Sequence, residues 1–123
     1  RVRLGDGRSL VQIQSPRPNF MEKKFRIFYT TTHNIIDAEE IANHLLKGSK
    51  AICVNIFENV KSFYLENKKI KSQKEAVLFI KTLKKKNEIE GFIKEIHKYD
   101  TPIIVEIKTG EPNQDYLNWF LNE

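Results

Sequence analysis

The side chains able to do metal or acid–base chemistry are few and far apart: Cys53, His33, His44 and His97, with carboxylates spread along the chain. Cys53 stands between Ile52 and Val54 in a run that reads as a strand. A thiol there serves as a small buried apolar residue, free Cys being among the most buried types. Its other use is as a soft ligand for Cu(I), which needs a thiolate, thioether or imidazole beside it. His97 follows Ile96 at the end of a helical stretch, where a cationic imidazole gains from the helix dipole. His33 falls in a loop and reads as exposed, and His44, beside Leu45, reads as a helix-flank residue. The chain has no Gly-x-Ser-x-Gly, His-Glu-x-x-His or Cys-x-x-Cys motif. Five glycines, two of them in the first twenty residues, leave little for a phosphate-binding loop. Nothing in these residues specifies an enzyme.

Charge narrows the classes further. The chain of 123 residues carries a net charge of +5, which on its own invites a nucleic-acid partner. Residues 1–20 hold Arg1, Arg3, Arg8 and Arg17 against Asp6, whereas the remainder holds 17 Lys or Arg against 15 Asp or Glu. The part that folds is therefore nearly balanced. Lys84-Lys85-Lys86 reads as a solvated strand end. No nucleic-acid partner is expected, and no run reaches the ~18 apolar residues of a membrane span. The single Cys53 excludes an internal disulfide and suits a reducing cytoplasm.

The elements that must position these groups follow from periodicity. Phe25, Ile27 and Tyr29 alternate with Arg26, Phe28 and Thr30 as a first strand. Ala38, Ile41, Ala42, Leu45 and Leu46 fall at helical spacing, with Gly48 as the expected C-cap. Ala51 to Ile56 begins a second strand, continuing through Val60, Ser62 and Tyr64 after an irregularity near Glu58-Asn59. A turn over Glu66 to Lys69 returns the chain through Glu75 to Leu83. A second helix opens with Asn87 as N-cap and buries Ile89, Phe92, Ile93 and Ile96. Ile103 to Ile107 is the fourth strand, and Asn113 caps a short helix bearing Leu117, Phe120 and Leu121. The order predicts an α+β, ferredoxin-like βαββαβ fold: an antiparallel sheet, helices on one face, and a short C-terminal helix.

A sheet with one wet face should alternate apolar and polar residues. The runs Ala76-Val77-Leu78-Phe79-Ile80 and Ile103-Ile104-Val105 do not alternate. Both faces therefore need cover, and self-association is the simplest source. The other source is the last helix folding back over the second face. An RNA-binding use of this element order is excluded by the third strand, where Glu75 to Thr82 has no Gly and only Phe79 as an aromatic.

Four phrases carry a family resemblance: Ala51-Ile52-Cys53-Val54-Asn55-Ile56, Ile80-Lys81-Thr82, His97-Lys98-Tyr99-Asp100-Thr101-Pro102 and Tyr116-Leu117-Asn118-Trp119. In this order the chain resembles the CutA family of divalent-cation-tolerance proteins, from about Phe25 to Phe120. The resemblance implies the same fold, a homotrimer with hairpins pairing between subunits, and a non-enzymatic role in tolerance of divalent metal ions, copper among them. It also implies a metal-ligand position at His97. The other implied ligand positions hold Thr30 and Ile96, and the carboxylate expected after Pro102 is replaced by Ile103, so only weak binding of Cu or another divalent ion is expected. Lys98 replaces a Pro. In the hairpin, Glu66 and Lys68 stand where the family has Trp and Gly, which should alter the turn. A similarly folded signalling module of the PII type, binding a small ligand or nucleotide between subunits, is the alternative. Residues 1–20 match nothing in the family and read as a disordered or non-native leader, with translation starting at Met21 and the domain spanning 21–123.

Overall fold

The computed structural model describes residues 23–123; the expected leader and the start at Met21 lie outside the described residues. Seven elements follow one another: β1 (Arg26–Thr32), α1 (Ile35–Lys47), β2 (Cys53–Glu66), β3 (Lys69–Thr82), α2 (Lys86–Lys94), β4 (Val105–Ile107) and α3 (Gln114–Leu121). The strands form one sheet in the order β2-β3-β1-β4, every neighbour antiparallel. This is the expected α+β, ferredoxin-like arrangement.

The period-2 alternation of the strands explains the core. Phe28 in β1 faces Ile80 in β3, and Thr30 faces Leu78; all four are fully buried. Against this face lie Ala38, Ile41 and Leu45 of α1 and Ile89 and Ile93 of α2, each at helical spacing. Asn34 starts α1 by accepting the Asp37 N–H at 2.8 Å. Leu46, expected in this stripe, is instead 40% exposed, because the helix rotates it past the apolar face.

The boundaries differ from expectation at α2 and in the hairpin strands. Gly48 is the C-cap of α1, as expected, although the left-handed residue is the next one, Ser49 (φ 58°), and Gly48 itself has φ −86°. Helix α2 starts two residues early, with Lys85 rather than Asn87 at its N-cap. The reason is Glu88, whose carboxylate accepts the Lys85 N–H at 3.5 Å while Asn87 takes the Glu88 N–H. Strands β2 and β3 run to 14 residues each, beyond the stretch from Glu75 to Leu83 expected for the return strand. The expected irregularity is a register shift between Phe57 and Val60, with Asn59 at φ 61°.

The hairpin tip turns on two residues, Asn67 (φ 52°) and Lys68 (φ 63°), between the paired Glu66 and Lys69. Two positive φ values in a two-residue loop are those of a type I′ turn, which prefers Asn followed by Gly. Lys68 therefore carries strain that a glycine would not. Lys68→Gly is expected to stabilise the fold by up to about 1 kcal/mol, read as a higher urea midpoint at unchanged slope. A lower midpoint would show that the Lys68 side chain contributes more than its backbone costs.

Among the described residues, the second sheet face is covered at one end only. There α3 lies over β1 and β3: the Phe25 and Phe120 rings are 4.9 Å apart, and Lys81 Nζ sits 5.6 Å from the Tyr116 ring centre. Phe120 is fully buried. Further along the same face Phe79 packs against Tyr29 at 6.3 Å and Phe57 at 5.3 Å, and Phe57 and Val105 remain 49% and 42% exposed. Toward the tip of β2 and β3, the hairpin carries Phe63, Leu65 and Ile70 in the open. The last helix thus covers part of the face, and a broad apolar area stays bare.

Candidate functional site

His97 lies just past the C-terminus of α2, held there by its own N–H donating to the Ile93 carbonyl at 2.9 Å. Both ring nitrogens have partners. Nε2–H donates to the Thr31 carbonyl at 2.7 Å, and Nδ1 accepts the Tyr99 N–H at 3.0 Å. That pattern defines one neutral tautomer. It also explains why β4 is shorter than expected: the β1–β4 ladder ends at the Tyr29–Val105 pair, and the next β1 carbonyl on that side belongs to His97. Ile103 and Ile104 are consequently outside the strand.

Burial lowers the His97 pKa, outweighing the Thr31 hydrogen bond and the field of Asp37, which favour the cation. A folded-state pKa below the ordinary ~6.5 means that the unfolded chain binds its proton first as pH falls. The stability due to His97 is thus complete above that value and is lost as pH drops through it toward the folded pKa. The urea midpoint is expected to fall between pH 7 and pH 5.5 in the native chain, and to fall less in His97→Asn. Equal slopes in the two proteins would assign the pH dependence to other groups.

Of the other positions implied for metal, Thr30 is fully buried in the core, its hydroxyl without a partner among the described residues, and Ile96 packs at the core margin. Cys53, expected to be buried, is only half-buried. It pairs with Lys81 on the face away from α1 and α2, because its parity along β2 opposes that of the core residues Val54 and Ile56. His33 is exposed, as expected, its ring edge-on to Tyr99 at 4.3 Å. His44 pairs with Glu95 at 3.3 Å on the surface of α1. Among the described residues no three His, Cys, Asp or Glu side chains gather in a group able to hold a metal ion. Within one chain, these residues do not fit a resident metal.

What the sequence did not mark is a carboxylate beside them. Tyr99 Oη donates to Glu75 Oε2 at 2.6 Å, and Ser62 Oγ donates to Oε1 at 2.7 Å. Tyr99 is half-buried, with its hydroxyl committed to this carboxylate. For Glu75, burial pushes the pKa up, but the hydrogen bonds from Tyr99, Ser62 and Thr31 outweigh it and hold the carboxyl below its ordinary range. Burial and the adjacent carboxylate raise the Tyr99 phenol well above its ordinary value. The pair therefore remains carboxylate and phenol across the physiological range. It lines a cleft of about 630 Å³ at the base of the hairpin, with Tyr29, Tyr64 and Gln73 in its walls. The hairpin register would have placed Ser62 beside Gln73 and Glu75, but Tyr99 arrives from the far side of α2 and could not be foreseen.

Comparison with known proteins agrees with this architecture. Residues 26–123 match the family described as the CutA1 divalent ion tolerance protein. The divalent-cation tolerance protein CutA of Pyrococcus horikoshii is 37% identical over 98 residues, covering 79% of this chain and 95% of the relative. The crystal structure of CutA1 from Ehrlichia chaffeensis superposes with a TM-score of 0.75 at 33% identity, over 81% of this chain and 94% of that one. A second structure, described as the periplasmic divalent cation tolerance protein CutA from Archaeoglobus fulgidus, gives 0.73 at 34% identity, over 79% and 95% of the two chains. No described helix is long and apolar enough to cross a membrane. With its element order, sheet topology and sequence all in agreement, the chain belongs to the CutA family of divalent-cation tolerance proteins.

Proposed function

We propose that this chain is a non-enzymatic, homotrimeric protein of the cytoplasm that takes part in the response to divalent metal ions, copper among them, and binds such ions only weakly. The observation that supports weak binding is the double engagement of His97. To reach a metal, the imidazole must release Thr31 or Tyr99, and among the described residues no group of three His, Cys, Asp or Glu side chains gathers around it. The trimer is supported by the bare apolar face and by the exposed Phe63, Leu65 and Ile70 of the hairpin. Isothermal titration with Cu(II), Zn(II) and Ni(II) tests the metal reading. The expected result is low affinity for all three ions, weakened further in His97→Ala. Nanomolar binding unchanged in His97→Ala would move the site to His33, His44 or Cys53.

The cleft beside Glu75 favours a second reading, a signalling module of the PII type that takes a small ligand between subunits. Its volume lies within the ~300–1,000 Å³ usual for small-molecule sites. A thermal-stabilisation screen of nucleotides and metal ions separates the two readings, since a ligand specific to the native state raises its stability.

A further inference from the structure

The Glu75 cleft has an unusual charge balance. Its carboxylate accepts the hydroxyls of Tyr99 and Ser62 and lies close to Thr31 and to the exposed His33 of the same lining. Among the described residues no Lys or Arg forms an ion pair with it. Lys98, the one lysine in the wall, is turned to Glu40, with Nζ 3.2 Å from that carboxylate. Asp100 adds a second acidic group to the lining. Tyr29, Phe63, Tyr64 and Tyr99 contribute rings to a wall that is otherwise polar apart from Ile103.

A negative charge among ring faces is what recognises an organic cation. The carboxylate supplies the ion pair and the rings supply cation–π attraction and apolar contact. A hard divalent ion is served less well. Both Glu75 oxygens already accept a hydroxyl proton, and no group of three ligating side chains surrounds them. An anionic ligand would meet two carboxylates, with Lys98 turned away to Glu40 and only the exposed His33 among the described lining residues able to offset them.

We propose that this cleft binds a small organic ammonium ion, its charge held by Glu75 and its carbon atoms against Tyr29, Tyr64 and Tyr99. The site gives the small-ligand reading a ligand class and does not depend on metal tolerance. The same chemistry is available from a lysine side chain of a second copy of the chain, so the test has to separate a free amine from that source.

The test uses the full chain, n-butylammonium chloride as probe and 1-butanol as its uncharged counterpart, read by the amide NMR shifts of Glu75 and Tyr99. Saturable binding of the ammonium in about the millimolar range is expected for so small a probe, with no matching response to butanol. Glu75→Gln keeps an acceptor oxygen for one of the two hydroxyls and removes the charge; it should weaken the ammonium at least about tenfold. If that variant does not fold, Tyr64→Leu tests the ring wall and should weaken binding about three- to tenfold. Unchanged affinity in the folded variants, or equal binding of butanol, overturns the proposal. Zinc chloride saturating the same amides and excluding butylammonium would overturn it in favour of a metal. If the native chain ignores the probe while Glu75→Gln sediments as a smaller species, the cation is a partner's lysine and the small-ligand assignment is wrong. Failure of butylammonium alongside stabilisation by a nucleotide would remove the ammonium assignment and leave the small-ligand reading standing.

Discussion

Phe79→Asp is expected to dissociate the assembly, and sedimentation velocity at micromolar concentration should show the trimer replaced by monomer. Phe79 sits in the middle of the bare face, between Tyr29 and Phe57. In one chain it is only partly covered, so an aspartate there can still reach water. In an assembly that closes over this face, the same carboxylate would be desolvated without a partner, at a cost of about 3 kcal/mol or more at each subunit contact. The loss of association should therefore exceed the loss of single-chain stability. A variant that sediments like the native protein would remove this face from the subunit contact. The trimer would then have to rest on the hairpin alone.

Phe120→Ala is expected to cost about 3–5 kcal/mol, the range for emptying a fully buried aromatic site. The Phe120 ring is wedged against Phe25 at 4.9 Å, Tyr116 at 6.0 Å and Trp119 at 6.4 Å, and no solvent reaches it. Removing it should free α3 from the sheet and expose the end of the face that this helix covers. Trp119 is the only tryptophan of the chain and is 47% exposed. Its emission reports the change directly: a red shift before the main unfolding transition is expected, along with a lower urea midpoint. A loss below about 1 kcal/mol with unchanged emission would mean that α3 contributes little to holding the fold.

The two variants address opposite ends of one surface, and together they divide its cover between the chain itself and its copies. The sequence posed these as alternative sources of cover. The single-chain structure has α3 over the Phe25 end, which accounts for part of the two-sided apolar pattern in β3 but leaves Phe57 and Val105 bare. In the proposed trimer, association would have to cover only the remainder.

Much of the architecture was legible in the residues because it depends on neighbours in sequence. Strand alternation in Phe25 to Thr30, the helical spacing of Ala38, Ile41, Ala42 and Leu45, and the non-alternating run in β3 each report a local periodicity. Burial of one face then leaves few ways to assemble βαββαβ. The family phrases were equally local. Other features depended on groups distant in sequence. His97 could be placed at a helix end, but its two partners come from the residue two further on and from Thr31, 66 positions away. The early end of β4 follows from that long-range hydrogen bond and leaves no trace in Ile103 or Ile104. Cys53 was misjudged because a strand's parity sets which residues share a face and not which face is the dry one. Glu75 was legible only as a residue of the returning strand, and the crossing of Tyr99 over the hairpin base turned it into a charged group in a cleft. Hydrogen bonds between segments joined by turns and helices depend on chain paths, which side-chain periodicity does not encode.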